Sequence, residues 1–125
     1  MAGRILIADP SKLARTKLKR ALAGAAYEVV EATTGEEALA FWRSQDFDLL
    51  ISEVNLPLLD GFDVVRGIRQ ADSARAKMPI IFVTSQSDGD VMERGRQAGI
   101  TGWVVKPFDG PALMDAISTL INMGR

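Results

Sequence analysis

Apolar and polar positions along this chain follow two alternating rhythms. Five short apolar runs, Arg4–Ala8, Tyr27–Glu31, Phe47–Ser52, Met78–Thr84 and Gly102–Lys106, read as strands, and the stretches between them carry apolar residues at helical spacing. Ala14, Leu18, Ala21, Leu22 and Ala25 recur in this way after the first run, as do Leu113, Ala116, Ile117, Leu120 and Ile121 after the last. Helix-start signals fall where the rhythm changes. Thr34-x-x-Glu37 and Ser87-x-x-Asp90 read as capping boxes, Asp60-Gly61 opens the third helix, and Asp109 with Pro111 opens the fifth. Runs one, three and four are almost wholly apolar, as strands covered on both faces must be. Strict strand–helix alternation, five times over, predicts a doubly wound parallel sheet with helices on both faces. No repeat, linker or low-complexity stretch interrupts it, so residues 1–125 read as one domain.

Composition narrows the picture. A chain of 125 residues can bury a full core, and 15 basic against 16 acidic residues leave no global attraction to nucleic acid or anionic membrane. The absence of cysteine excludes disulfides and thiolate metal sites, and the absence of histidine excludes imidazole catalysis and histidine phosphotransfer within this chain. No apolar run approaches the ~20 residues needed to span a bilayer. The start, Met1-Ala2-Gly3-Arg4, lacks the apolar core of a signal peptide. The expectation is a small cytoplasmic domain.

Open parallel sheets place their chemistry at the C-terminal ends of strands. There this sequence puts Asp9-Pro10-Ser11 after the first strand, Glu53 with Asn55 after the third, Thr84-Ser85 after the fourth and Lys106-Pro107-Phe108 after the fifth. Two carboxylates suit a hard cation such as magnesium, and an ammonium with a hydroxyl suits a phosphoryl group. Any one of these is an ordinary loop residue; four at one sheet edge form a candidate site.

These residues give the chain its resemblance. It resembles the response-regulator receiver domains (the CheY-like superfamily) of two-component and phosphorelay signalling, over essentially its whole length. The family pattern has an acidic pair after strand one, an Asp opening a D-x-x-x-P-x-x-D-G segment, a Thr or Ser after strand four and a Lys-Pro after strand five. Here these positions are Asp9-Pro10, Glu53 through Gly61, Thr84 and Lys106-Pro107. Ser11, Arg15 and the stretch 98–108 also match. The resemblance implies a flavodoxin-like five-stranded sheet in the order 2-1-3-4-5 with five helices. It implies Glu53 at the phosphoacceptor position, Thr84 as the sensing hydroxyl and Lys106 as the phosphoryl-pairing ammonium. It also implies a magnesium site of Asp9, Glu53 and the Asn55 backbone carbonyl, and a cis Lys106–Pro107 bond.

Two departures fall on the chemistry. Glu53 carries one methylene more than Asp, which moves its carboxylate up to ~1.5 Å further from the backbone. A misplacement of ~1 Å can cost about a hundredfold in a transfer that depends on geometry. Pro10 stands where the family has its second acid and offers no side-chain oxygen, so magnesium binding is expected to be weak or lost. The leading reading is a pseudo-receiver that is not phosphorylated in the usual way and signals through protein–protein interaction. A second is a Glu53 that imitates the phosphorylated state, with a charge of −1 against about −1.5 to −2 for a phosphoryl group. The rivals are a phosphorylatable, magnesium-dependent receiver with autophosphatase activity and a nucleotide second-messenger sensor on the same scaffold.

The resemblance places the partner surface on the fourth helix, fifth strand and fifth helix, where Met92, Arg96, Trp103 and Pro107 fall. Partners would be a sensor kinase or a downstream regulator, or a second copy of the chain. Trp103 stands where the family has a switching aromatic, and Trp is frequent at interface hot spots. Lys12, Arg15, Lys17, Lys19 and Arg20 crowd the first helix, read as a solvated face rather than a nucleic-acid patch. Glu93-Arg94-Gly95-Arg96 offers arginines to an anion or a partner. Gly95 costs its helix about 1 kcal/mol relative to Ala, which would suit a mobile switch element. Phe41 and Trp42 read as packing residues. There is no G-x-G-x-x-G, Walker loop or nucleophile elbow.

Overall fold

The computed structural model describes residues 3–124. The elements run β1 (Arg4–Ala8), α1 (Lys12–Leu22), β2 (Glu28–Ala32), α2 (Gly35–Ser44), β3 (Leu49–Ser52), α3 (Gly61–Arg69), a 3-10 turn (Ala74–Lys77), β4 (Ile80–Thr84), α4 (Gly89–Ala98), β5 (Gly102–Val105) and α5 (Gly110–Met123). The strands form one parallel sheet in the order β2-β1-β3-β4-β5. This is the expected flavodoxin-like arrangement.

The strand pleat divides the core in two. Leu6, Ala8, Leu50, Ile80 and Phe82 point to the face covered by α2 and α3, with Trp42, Phe62, Val65 and Ile68 packed on them. Ile5, Ile7, Leu49, Ile51, Ile81 and Val83 point to the other face, under Leu18 and Leu22 of α1 and Leu113, Ile117 and Ile121 of α5. Period-two alternation of apolar residues on both faces explains why β1, β3 and β4 read as continuous apolar runs. Trp42 is buried as expected and Phe41 half-buried, whereas Ala116 faces solvent.

Caps fix the element boundaries, and several differ from expectation. α1 stops at Leu22, before Ala25, because Gly24 takes φ +95° and Ala25 N–H closes a turn onto the Leu22 carbonyl. β2 is shifted one residue, β3 starts at Leu49, β4 at Ile80, and β5 ends at Val105. Before β4, Met78 N–H donates to the Arg75 carbonyl, closing the 3-10 turn, and Pro79 has no N–H to give a ladder. The α4 cap is Asp88, whose carboxylate accepts from Asp90 N–H; Ser87 lies outside the helix. Thr34 caps α2 through Glu37 N–H, but Glu37 reaches back to Thr33 N–H instead of the cap residue's own. The full reciprocal box is at Asp60 and Asp63, opening α3.

Candidate functional site

Register brings the site residues together. Ala8 pairs with Ser52, so Asp9 and Glu53, the next residues, emerge side by side. Thr84 pairs with Val105, so Lys106 follows beside them at the same edge. Backbone bonds hold these ends in place: Glu53 N–H donates to the Ala8 carbonyl at 2.8 Å and Lys106 N–H to the Thr84 carbonyl at 2.8 Å. Gly61 lets α3 start against the strand end, since a Cβ there would lie 2.7 Å from the Glu53 carbonyl oxygen.

Lys106 is the centre of the arrangement. Its ammonium donates to Asp9 Oδ2 at 2.9 Å and to Glu53 Oε1 at 3.2 Å. The remaining carboxylate oxygens are also engaged: Ser11 N–H donates to Asp9 Oδ1 at 2.8 Å, and Val54 and Asn55 N–H both donate to Glu53 Oε2, at 2.5 and 3.2 Å. The Asp9 and Glu53 side chains are only 3% and 11% exposed, and Lys106 25%. Burial pushes the Lys106 pKa down, but the hydrogen bond and charge of Asp9, then those of Glu53, outweigh it and hold the ammonium above its ordinary range. One charge short of neutralising both acids, the lysine nonetheless occupies the space between them. The Lys106–Pro107 bond is cis.

Around this triad, Arg15 donates to the Asp9 carbonyl at 2.7 Å and to Glu31 Oε1 at 2.9 Å, while Lys19 takes Glu31 Oε2 at 3.0 Å. Of the five cations on α1, Arg15 therefore braces the end of β1 against β2, and Lys19 ties β2 to the helix. Lys17 and Arg20 instead rim a groove of about 640 Å³ with Leu13, Pro107 and Phe108.

Thr84 is fully buried, and its hydroxyl accepts from Gln86 N–H at 3.3 Å; no hydrogen bond joins it to Glu53. The Gln86 carbonyl accepts the Trp103 indole N–H at 2.9 Å. Gln86 thus connects the hydroxyl to the aromatic, a link that nothing in the sequence signals. Trp103 is half-buried, packed edge-on to Phe82 at 5.6 Å between ring centroids. It also lies on Gly95, where a Cβ would come within 3.0 Å of the ring. Gly95 is therefore a packing requirement of Trp103 in addition to any effect on helix stability.

Met92, Arg96 and Trp103 line one groove of about 420 Å³ between α4 and β5. Pro107 lies apart from them, in the α1–α5 groove beside Lys106. The sequence run 93–96 splits: Arg96 pairs with Glu93 on the Trp103 side, and Arg94 stacks its guanidinium 4.2 Å over the Phe62 ring. Among the described residues, no group of three or more acidic, histidine or cysteine side chains is placed to hold a metal ion. Nor is any helix among them long and apolar enough to cross a membrane.

Comparison with known proteins agrees with this geometry. The family model of the response regulator receiver domain matches residues 5–118. The chemotaxis protein CheY of Pseudomonas aeruginosa is 33% identical over 120 residues, covering 95% of this chain and 96% of that protein. The transcriptional regulatory protein AfsQ1 of Streptomyces coelicolor is 35% identical over 125 residues, the whole of this chain but 53% of that protein. The structure of the chemotaxis response regulator CheY4 of Vibrio cholerae superposes with a TM-score of 0.86 at 33% identity, covering 96% of this chain and 99% of that one. With fold, strand-end residues and family model in agreement, the chain belongs to the response regulator receiver domain family and has a two-component signal-transduction role.

Proposed function

We propose that this receiver domain signals by binding a protein partner and is not phosphorylated in the usual way at residue 53. The observation that carries this reading is the Lys106 ammonium seated between Asp9 Oδ2 and Glu53 Oε1. All four carboxylate oxygens accept a hydrogen bond from the protein. Magnesium demands near-octahedral oxygen ligation and gives up water reluctantly. Here it would have to displace Lys106 with only two carboxylates to reward it, because Pro10 supplies none. Asn55 could add its backbone carbonyl, which does not replace a missing charge. The donor set suits one ammonium better than a divalent ion.

The partner surface on this reading is the groove of Met92, Arg96 and Trp103, with Val105 exposed two residues further along β5. The occupant is a kinase, a regulator or a second copy of the chain. Titrating magnesium while following tryptophan emission tests the reading: it predicts no saturable change, and a saturable one at millimolar metal counts against it.

A second reading shares the first one's chemistry. Glu53 would hold an arrangement like the phosphorylated one, favoured by its contact with Lys106 and by the inward packing of Trp103. Glu53→Gln keeps the shape and removes the charge. On this reading it frees Trp103 and makes the ring more accessible to a collisional quencher; unchanged accessibility would leave the first reading alone.

A further inference from the structure

Away from the strand ends, α3 and α4 flank an open surface groove of about 360 Å³, lined by Arg66, Arg69, Gln70, Arg94, Gln97 and Ala98. Three arginines and two glutamines line it, and no carboxylate does. Arg66 already has one partner: its Nη2 donates to Asp63 Oδ1 at 2.6 Å, an exposed pair on a single helix turn. Arg69 donates Nε to the Gly99 carbonyl and Nη1 to those of Ala76 and Met78, so its positive charge is held in place by neutral acceptors and meets no counter-ion among the described residues. Arg94 makes no ion pair among the described residues either. Its guanidinium is stacked 4.2 Å over Phe62, which is itself buried.

This arrangement has a specific chemical consequence. Stacking on an aromatic face orients a guanidinium and leaves its N–H edge for a second partner. Arginines match phosphate oxygens with paired, charge-assisted hydrogen bonds. The groove has the volume of the smaller ligand sites and is rimmed by cations rather than by aromatic and aliphatic side chains. We infer that the α3–α4 groove binds a phosphate-bearing anion, either a free polyphosphate or the phosphate end of a nucleotide. Such an anion is held from both helices, by Arg66 on one side and Arg94 and Gln97 on the other, with the fixed charge of Arg69 behind them. It therefore fastens α4 to α3. Because Arg94 precedes Gly95, on which Trp103 lies, occupancy is expected to reach the Met92–Trp103 groove without involving residue 53.

The test uses the whole chain and measures backbone amide shifts during titration with pyrophosphate, ATP without metal, and sodium chloride at matched ionic strength. Saturable binding of pyrophosphate at about 1 mM or below is expected, with shifts centred on residues 66–70 and 94–98. Arg94→Gln and Arg66→Gln should each weaken it about tenfold, while Arg43→Gln, on the exposed side of α2, leaves it unchanged. Arg69 is left in place because it holds three carbonyls. Tighter binding of ATP than of pyrophosphate identifies a nucleotide as the source, and equal binding identifies the free anion. The inference is overturned if pyrophosphate gives only the shifts that sodium chloride gives, or if Arg94→Gln and Arg66→Gln together leave affinity unchanged.

Discussion

Trp103 rests on Gly95: a Cβ at position 95 would lie 3.0 Å from ring atom Cζ3 and 2.9 Å from Ile100 Cδ1. Ala would gain about 1 kcal/mol of helix propensity, but overpacking a filled site typically costs about 1–3 kcal/mol. Gly95→Ala is therefore expected to destabilise the domain slightly, by roughly 1 kcal/mol in chemical denaturation. It should also increase the quencher accessibility of Trp103, read in a Trp42→Phe background. A more stable protein with an unchanged Trp103 would mean that the ring does not depend on that glycine.

Lys106 supplies the counter-charge for two nearly buried carboxylates. Replacing one partner of such a set is strongly destabilising, about 3–5 kcal/mol for a fully buried pair. With Lys106 25% exposed, Lys106→Met is expected to lose about 2 kcal/mol near neutral pH. Met keeps most of the aliphatic stem, so a loss within about 0.5 kcal/mol would show that the two acids do not depend on the ammonium.

The same lysine sets an alkaline dependence. Its pKa is raised in the folded protein above the ordinary value of about 10.4. The native state thus holds the proton more tightly than the unfolded chain. Its contribution is complete below the ordinary lysine range and is lost as pH climbs through the raised value. Wild-type protein should lose stability more steeply than Lys106→Met above pH ~10. Parallel loss in the two proteins contradicts this.

Arg69 joins the C-terminal end of α3 to the approaches of β4 and β5 through the Ala76, Met78 and Gly99 carbonyls. Burial lowers its pKa, yet three acceptors keep it in place. Arg69→Met would leave those carbonyls without their donor, at about 1–3 kcal/mol for each that stays buried. A loss of at least 2 kcal/mol in urea unfolding is expected; a change within 0.5 kcal/mol, the range of an ordinary surface substitution, would show that water replaces the guanidinium freely.

What the sequence made legible follows from what has a periodic or positional signature. Asp9, Glu53, Thr84 and Lys106 were readable because strand ends in a parallel sheet have a known direction, and register then brings them to one edge. Arg69 and Gln86 were not, because the partners of Arg69 are backbone carbonyls and Gln86 takes part through its own backbone N–H and carbonyl, groups that any residue type can supply. Gly95 was read as a source of mobility because the ring that needs its empty side comes from another element. The resemblance groups Pro107 with Met92, Arg96 and Trp103, and the structure places it in the lining of the groove beside α1. Element ends shifted wherever a cap, such as Asp88 in place of Ser87, outcompeted the nearest alternative.

If reach and ligand loss explain the altered chemistry, restoring both should restore it. Pro10→Asp with Glu53→Asp is expected to bind magnesium at millimolar concentration, seen as a saturable change in tryptophan emission. Either substitution alone should do less. A double variant that ignores magnesium would show that another element closes the site.

The most direct test of the central claim is the intact mass of the wild-type chain after incubation with acetyl phosphate and magnesium, measured beside the Pro10→Asp, Glu53→Asp variant. The account predicts an unchanged mass for the wild type and a gain of one phosphoryl group for the variant. A magnesium-dependent gain of one phosphoryl group on wild-type Glu53 would contradict it.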